Sequence, residues 1–331
     1  AKMVPPTDPF AVPSIRLPPA SLDTTPPPSP GWRMLLRMTR PHFLLLTAAA
    51  CVLGMSFAVA CGCGFDPARA AATMVLAIMA HAGANVLNDY HDARNGADAA
   101  NQQGLYPFSG GARLIQQGQV SALDTARWAA LLLLLLIPAG LLLAVKTGGG
   151  LLLIGMAGLF LAWAYSAPPF KLMSRGLGEV TAAVAWWLVV LGADYVQRRH
   201  FFLIPAVSAV SFGLLVANIL LIAGFADAPS DAQVGKKTLV VRMGARRAAW
   251  LYLGIALAAH GWLALGVWLL IPPTTALWGM VSLPLSLAAA ASLMHHAHAA
   301  QRLQPAMVLT IAAAVVHALA VSAGLMSLAW G

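Results

Sequence analysis

Charged residues are scarce in this 331-residue chain. They make up only 9% of the sequence, whereas hydrophobic residues make up 60%. An ordinary soluble domain carries roughly 25% charged residues, so a soluble fold this apolar would lack the polar side chains that keep it in solution. The composition therefore excludes a typical cytosolic enzyme, a disordered regulator and a nucleic-acid binder. It predicts a polytopic helical membrane protein.

Cysteine is also scarce, with three residues in the whole chain. So few cysteines exclude a disulfide framework. Cys61 and Cys63 form a C-x-C pair near a predicted helix end, but no second pair of ligands follows at the spacing of a zinc site. We therefore predict that both are packing residues.

The first 31 residues are rich in proline and contain no apolar stretch like the core of a signal peptide. They predict a disordered cytosolic tail, followed by one transmembrane domain at 32–331. Apolar runs long enough to cross a bilayer indicate about nine spans, near 43–60, 72–88, 126–145, 149–165, 180–196, 201–224, 248–271, 275–294 and 306–330.

Positive charge is distributed unevenly between the two sides of this predicted bundle. If the spans alternate in direction, 16 of the 20 lysine and arginine residues belong to the N-terminal tail and the loops on its side. Cytoplasmic loops carry such an excess. We therefore expect a multi-pass protein of the inner (cytoplasmic) membrane, with the N-terminus and the charged loops in the cytoplasm and the C-terminus on the opposite side.

Acidic residues collect on the same side, although the distribution of lysine and arginine does not require this. Nine of the 11 in the chain belong to the predicted cytoplasmic side, and six of these follow closely on the second, fourth and sixth spans. Carboxylates at the end of a membrane helix are costly and need partners. Their co-location therefore indicates a functional site formed by Asp89, Asp92, Asp98, Glu179, Asp227 and Asp231.

Two boxes at helical spacing stand out in this set. Asn88 and Asp92, the first box, lie four residues apart where the second span ends, and Asp227 and Asp231, the second box, repeat the spacing after the sixth span. Side chains at i and i+4 share one helix face, whereas Asp89 points about 100° away from Asn88. Two facing stripes of oxygen ligands can hold Mg²⁺, which combines a few carboxylates with substrate phosphates.

Basic and glycine-rich segments near the boxes indicate a phosphate ligand. The glycines of SGGAR (109–113) allow backbone N–H groups to approach an anion closely. Together with the boxes, these segments predict a diphosphate bridged by Mg²⁺, and the apolar helices around them indicate that the rest of the substrate is lipid. Aromatic side chains of the fourth and fifth spans can stabilise a developing carbocation. The nearby cations are Arg113, Lys171, Lys236 and Lys237.

Four segments carry a resemblance to a known family: NDYHDARNGAD (88–98), FSGGARLIQQG (108–118), YSAPPFKLMSRGLGE (165–179) and DAPSDAQVGKKTLVVRMG (227–244). RPHFLL (40–45) is a weaker match. The chain resembles UbiA-type membrane prenyltransferases over about 40–331. It looks most like the branch that prenylates 1,4-dihydroxy-2-naphthoate in menaquinone synthesis.

The resemblance implies an all-α membrane bundle of about nine helices and a specific set of site residues. It assigns Mg²⁺ and diphosphate to Asn88, Asp92, Asp227 and Asp231, with Asp98 as a further aspartate. Asp92, Asp227, Asp231 and Lys171 are the expected catalytic residues. The expected diphosphate contacts also include Asp89, Arg113, Lys236 and Lys237, and the expected acceptor contacts are Tyr165 and Glu179.

The chain also departs from the family pattern at several positions. Relatives usually carry arginine where this chain has Ala226 and often where it has Ala232, and Pro229 inside the second box is unusual. Asp194 replaces an aromatic residue. The metal ligands are kept, so we expect these changes to bear on the acceptor rather than on the diphosphate chemistry.

The expected function is Mg²⁺-dependent transfer of a polyprenyl group from prenyl diphosphate to 1,4-dihydroxy-2-naphthoate or a related quinone precursor, with release of diphosphate. The acceptor could instead be 4-hydroxybenzoate or homogentisate. A CDP-alcohol phosphatidyltransferase is less favoured because its aspartates lie in one continuous stretch. A transporter is less favoured because its charges would lie near the midplane of the membrane. The expected partners are both substrates and the lipid bilayer, without nucleic acid.

Overall fold

The computed structural model describes residues 29–101 and 104–329, which form a helical bundle without β-strands. The predicted tail at 1–31 lies outside the described residues, except for its last three positions. The α-helices in chain order are α1 (Trp32–Met38), α2 (Pro41–Ala60), α3 (Pro67–Asn95), α4 (Ala97–Ala100), α5 (Ala122–Thr147), α6 (Gly150–Ser166), α7 (Gly178–Arg198), α8 (Leu203–Gln233), α9 (Leu239–Met243), α10 (Ala245–Trp268), α11 (Leu283–His296) and α12 (Gln304–Met326).

Eight helical segments of the described chain are long and apolar enough to cross a bilayer: α2, α3, α5, α7, α8, α10, Thr274–His296 and Gln304–Ala329. The segment Thr274–His296 begins as a 3₁₀ helix and continues as α11. The fourth predicted span corresponds to α6, an apolar helix of only 17 residues. The predicted fold class, an all-α membrane bundle, is confirmed, with eight full-length spans and a ninth apolar segment that is shorter.

Local sequence signals account for where the helices start and stop. Asp66 caps α3, because its carboxylate accepts the N–H of Arg69 at 3.0 Å, and Ser121 caps α5 through the N–H of Asp124 at 2.9 Å. Such caps satisfy backbone donors that a helix leaves unpaired. Helix α3 stops at Gly96, whose φ of 84° is the left-handed conformation that favours glycine. The first box therefore lies in the last turns of α3.

The main core lies where α2, α7, α8 and α12 pack together around buried residues such as Leu53, Phe212 and Val216. Gly54 allows α2 to approach α7 closely, since a Cβ there would lie 2.2 Å from the carbonyl oxygen of Val190. Small residues at helix crossings permit the close packing that holds membrane helices together. This packing holds α2 and α7 rigidly on two sides of the cavity described below.

Long-range contacts show which helix ends lie together. Arg40, just before α2, pairs with Asp89 near the end of α3, and Lys236, just after α8, pairs with Asp92. We call this the box end of the bundle. At the other end, the Gln197 side chain exchanges hydrogen bonds of 2.8 and 3.2 Å with the backbone of Asp66.

Cys61 and Cys63 lie between α2 and α3 at the end of the bundle opposite the boxes. Their sulfur atoms form a disulfide, so the prediction that both are packing residues was wrong. The turn after α2 brings their Cα atoms to 5.3 Å, within the range that a disulfide bridges. We call this the disulfide end.

Candidate active site

Both boxes face one cavity of about 300 Å³ at the box end. Its walls come from α2, α3, α6, α7 and α8 and from the loops that follow α3 and α8. Asn88, Asp92, Asp227 and Asp231 all line this cavity, although the two boxes are far apart in the chain. The antiparallel course of the spans accounts for this meeting, since α3 and α8 both end on the same side.

Lys236 connects the two boxes electrostatically. Its Nζ donates to Oδ1 of Asp92 at 2.6 Å and lies 3.3 Å from Oδ1 of Asp231. Burial by itself lowers the pKa of Lys236, but the two carboxylates outweigh it and raise that pKa above its ordinary value. Two carboxylates from different helices therefore share one cation in the structure.

The loop after α3 also contacts the second box. Asn101 donates from Nδ2 to Oδ1 of Asp227 at 2.6 Å. Gly111 in the same loop has a φ of 70°, and a Cβ there would lie 3.0 Å from Oδ1 of Asp89 and 3.2 Å from Oδ1 of Asp98. The glycine is needed because the backbone passes directly against these two carboxylates.

Asp89 was expected to contact the diphosphate, but the structure places its side chain elsewhere. It pairs with Arg40, and its Oδ2 accepts the backbone N–H of Ala112 at 3.2 Å. Asp89 does not line the cavity, because it points about 100° away from Asn88 around the helix axis. The arginine partner does line the cavity. Sequence reasoning did not single out Arg40, although it opens the weakly matching segment RPHFLL.

Asp98 lies on α4 and lines the cavity beside the first box. Burial, followed by the charges of Asp92 and Asp89, raises the pKa of Asp98 to about 8. The Gln116 side chain donates to its Oδ2 at 3.3 Å. The charges of Arg40 and Lys236 act in the opposite direction and favour the charged form of Asp98.

The other cations predicted near the boxes lie outside the cavity wall. Lys171 and Lys237 are exposed, and neither lines the cavity. Arg113 also lies outside, and its guanidinium donates to the backbone carbonyl of Asn101. The sequence alone cannot distinguish Lys236 from Lys237, because both follow Gly235 in a turn where helical periodicity does not apply.

Tyr165 and Glu179, the expected acceptor contacts, both line the cavity, as does Trp186. The other aromatic residues of α6 and its following loop point elsewhere. Trp163 and Phe170 pack with each other at a centroid distance of 5.5 Å and are 40% and 36% exposed. They form part of the outer surface rather than the cavity.

The departures from the family pattern have different structural settings. Ala226 is buried in a core cluster, where an arginine would not fit without displacing neighbours, whereas Ala232 is exposed. Helix α8 continues through Pro229. Asp194 lies at the disulfide end and pairs with Arg198, so this substitution does not touch the cavity.

The donor set fits a hard divalent cation that is shared with a ligand. Within residues 29–101 and 104–329, no group of three or more His, Cys, Asp or Glu is close enough to hold a metal by itself. Asp92 and Asp231 nevertheless already share a cation, the ammonium of Lys236. Mg²⁺ commonly takes one or two protein carboxylates and completes its shell with substrate phosphates and water.

Comparison with protein families gives one match that covers most of the chain. The model described as the UbiA prenyltransferase family matches residues 44–312. The chain is 33% identical over 218 residues to the 1,4-dihydroxy-2-naphthoate octaprenyltransferase of Escherichia coli, covering 63% of this chain and 68% of that protein. It is 30% identical over 258 residues to the Mycobacterium tuberculosis protein of the same name, covering 78% and 85%.

Solved structures support the same fold at lower sequence identity. The UbiA homologue of Archaeoglobus fulgidus bound to DMAPP and Mg²⁺ superimposes with a TM-score of 0.60 at 18% identity, covering 88% of this chain and 99% of that one. A digeranylgeranylglyceryl phosphate synthase superimposes with a TM-score of 0.57 at 15% identity, covering 88% and 98%. At these identities the likeness concerns the fold.

Proposed function

The chain belongs to the UbiA prenyltransferase family, and from that premise we propose that it transfers a polyprenyl group from prenyl diphosphate to 1,4-dihydroxy-2-naphthoate. The observation that carries the proposal is the convergence of Asp92, Asp227, Asp231 and Lys236 on one cavity with an apolar interior. Such a cavity offers polar groups for a diphosphate at one end and, beyond them, apolar space for the allylic carbon and an aromatic acceptor.

The residues of the box end act on the leaving group. In this proposal, Lys236 and Arg40 donate hydrogen bonds to the diphosphate oxygens as negative charge builds on them. Charge-assisted donors aimed at developing charge lower the barrier without reorganising during the reaction. The allylic C–O bond then breaks, and the electron pair leaves with the diphosphate.

The allylic carbocation and the acceptor react in the apolar part of the cavity. The allylic carbocation lies among apolar side chains and the aromatic faces of Tyr165 and Trp186, which stabilise positive charge. An electron-rich ring carbon of the acceptor donates its electron pair to form the new C–C bond. The ring then regains aromaticity by losing a proton or, at a carboxylated carbon, carbon dioxide.

We further propose that Mg²⁺ is held by Asp92, Asp227 and Asp231, with Asn88 and Asp98 beside them. When bound, the cation supplies charge neutralisation for the diphosphate. Asn101 and Lys236 orient these carboxylates, since each forms hydrogen bonds to at least one of them. Solved structures of a UbiA homologue from Archaeoglobus fulgidus are bound to Mg²⁺ together with DMAPP or GPP.

The naphthoate acceptor is favoured by the names of the relatives. Several proteins at 24–33% identity carry the name 1,4-dihydroxy-2-naphthoate octaprenyltransferase, from five different bacteria. The Asp194 departure lies outside the cavity and does not argue against this acceptor. We propose menaquinone synthesis as the pathway that uses the product.

We propose that the protein lies in the inner (cytoplasmic) membrane and that its box end faces the cytoplasm. The charge asymmetry of the loops supports this orientation. The Cys61–Cys63 disulfide lies at the opposite end of the bundle. Disulfides persist in oxidising compartments, which agrees with an extracytoplasmic disulfide end.

The test is a reconstituted transfer reaction with a panel of acceptors. The purified protein in lipid nanodiscs receives a polyprenyl diphosphate with 1,4-dihydroxy-2-naphthoate, 4-hydroxybenzoate or homogentisate, with Mg²⁺ or with EDTA. We expect diphosphate release and a prenylated product, identified by mass spectrometry, only with the naphthoate and only with the cation. A prenylated 4-hydroxybenzoate or homogentisate would change the acceptor, and turnover in EDTA would remove the metal requirement.

A further inference from the structure

A histidine lies deep in the apolar part of the cavity. His81 on α3 lines the cavity together with Asn88 and Asp92 of the first box. Steps of seven and four residues return close to the same face of a helix, so the three side chains form one stripe. Seven residues of helix place His81 about 10 Å deeper than Asn88 along α3. It is therefore a polar group well below the diphosphate end.

Two other helices contribute polar neighbours to His81. Its Nδ1 lies 2.8 Å from Oγ1 of Thr47 on α2. Its ring meets the indole of Trp186 on α7 edge-on, with the centroids 4.7 Å apart. Thr47, His81 and Trp186 all line the cavity, and we call this set the His81 subsite.

The indole N–H of Trp186 is buried and has no hydrogen-bond partner among the residues that the structure describes. Buried donors are nearly always paired, so an unpaired one at a cavity wall indicates a ligand atom that accepts from it. The next residue provides a contrast. Trp187 donates its N–H to the carbonyl of Ala206 at 2.8 Å and does not line the cavity.

The chemistry of the His81 subsite selects one kind of substituent. Thr47 occupies Nδ1 of His81, so Nε2 is the ring nitrogen that is left for a ligand. When Nδ1 carries the proton and donates to Thr47, Nε2 is an acceptor. The subsite then combines one donor, the Trp186 N–H, with one acceptor, the His81 Nε2, on two rings whose centroids lie 4.7 Å apart. A hydroxyl group satisfies both, because its oxygen accepts and its hydrogen is donated.

We infer that the His81 subsite binds a hydroxyl group of the aromatic acceptor. This inference rests on the proposed function, because it requires an aromatic acceptor with a phenolic oxygen. A saturated or olefinic prenyl chain offers neither a donor nor an acceptor and leaves the Trp186 N–H unpaired. Anchoring the hydroxyl at this depth orients the ring, so that a defined ring carbon faces the allylic carbon at the box end.

The adjacent tryptophans provide a matched pair of variants for the test. Trp186→Phe removes the unpaired N–H and keeps the aromatic face, whereas Trp187→Phe removes an N–H that the protein itself satisfies. KM for 1,4-dihydroxy-2-naphthoate and KM for the polyprenyl diphosphate are measured for each, together with Tm. We expect Trp186→Phe to raise the acceptor KM about tenfold, the effect of one lost hydrogen bond in a dry site. The prenyl diphosphate KM should stay within about twofold, and Trp187→Phe should alter neither KM.

His81→Asn and direct binding complete the experiment. The asparagine amide reaches about as far as Nδ1 of histidine, so it can still meet Thr47 but offers nothing where Nε2 lies. We therefore expect weaker acceptor binding by calorimetry in the absence of prenyl diphosphate. A matching acceptor with a methoxy group in place of the hydroxyl should bind the wild type and His81→Asn equally. An unchanged acceptor KM in Trp186→Phe would overturn the inference, and so would a raised KM for prenyl diphosphate instead. In either case, turnover by the wild type would leave the proposed function standing. Absence of wild-type turnover with every acceptor would count against the proposed function, and calorimetry would still decide the subsite.

Discussion

The two ends of the bundle use buried acidic residues in opposite ways. At the disulfide end, Asp194 receives hydrogen bonds of 2.6 and 2.7 Å from Arg198, one turn later on the same helix. At the box end, Asp92 and Asp231 share Lys236, which comes from a loop and joins two different helices. A pair formed within one helix stabilises that helix, whereas carboxylates brought together around a cavity are available to a ligand.

The largest expected effect comes from neutralising the boxes. We expect Asp92→Asn or Asp231→Asn to lower kcat about 10²- to 10³-fold, because one carboxylate that holds the cation beside the diphosphate is lost. Asp66→Asn at the opposite end of α3 is the control, since asparagine also caps a helix. Diphosphate release per folded protein is the measurement. A loss of kcat in Asp66→Asn as large as the loss in Asp92→Asn would contradict the assignment of the site.

The two adjacent lysines separate a buried cation from an exposed one. Lys236→Met removes the ammonium between Asp92 and Asp231 and should raise the KM for prenyl diphosphate about tenfold or more. Lys237→Met should leave this KM within about twofold, because an exposed cation is screened by water and salt. Both values come from initial rates at saturating acceptor. A larger increase in this KM for Lys237→Met than for Lys236→Met would place the diphosphate outside the cavity.

Two partly buried arginines, one at each end of the bundle, test whether the ends differ in function or only in stability. Arg40→Gln and Arg198→Gln each leave a carboxylate, Asp89 or Asp194, without its partner. Removing one partner of a buried pair costs about 3–5 kcal/mol, so Tm should fall for both. Only Arg40→Gln should also raise the KM for prenyl diphosphate, because Arg40 lines the cavity. A changed KM in Arg198→Gln would break the contrast.

The smallest expected effect is a pH dependence that comes from Asp98. Its pKa is raised to about 8, so the folded protein keeps a proton that the unfolded chain loses near its ordinary value of 3.8. The stability of the protein without substrates should therefore fall as pH rises between these two values. Asp98→Asn should flatten the fall of Tm across that window. Asp66→Asn should not flatten it, because the Arg69 N–H lowers the pKa of Asp66 instead.

Much of the site was predictable from periodicity and from the placement of charge. Each box is a pair of residues four positions apart, Asn88 with Asp92 and Asp227 with Asp231, and each lies at the end of an apolar run that finishes at the same end of the bundle. Four residues is one helical turn, so the shared face follows directly from spacing. Asp89 lies on the neighbouring face of the helix, where it pairs with Arg40 and does not line the cavity.

Other contacts, inside and outside the site, follow from no spacing pattern in the sequence. Arg40 and Asn101 act on residues far away in the chain, and no spacing rule relates them to their partners. Lys236 and Lys237 differ in burial only because the turn after α8 directs one of them inward. The Cys61–Cys63 disulfide depends on a turn geometry that a C-x-C spacing does not specify.

The sequence by itself determined that this protein lies in a membrane, how many apolar segments it has, and that the two boxes lie at the same end of the bundle. These properties follow from composition and periodicity, which act along one helix at a time. Only the tertiary structure decided that Thr47, His81 and Trp186 meet in one subsite and that one lysine of two joins the boxes. Such meetings depend on how α2, α3, α7 and α8 pack, and packing is set by side-chain shape across helices rather than by order along the chain.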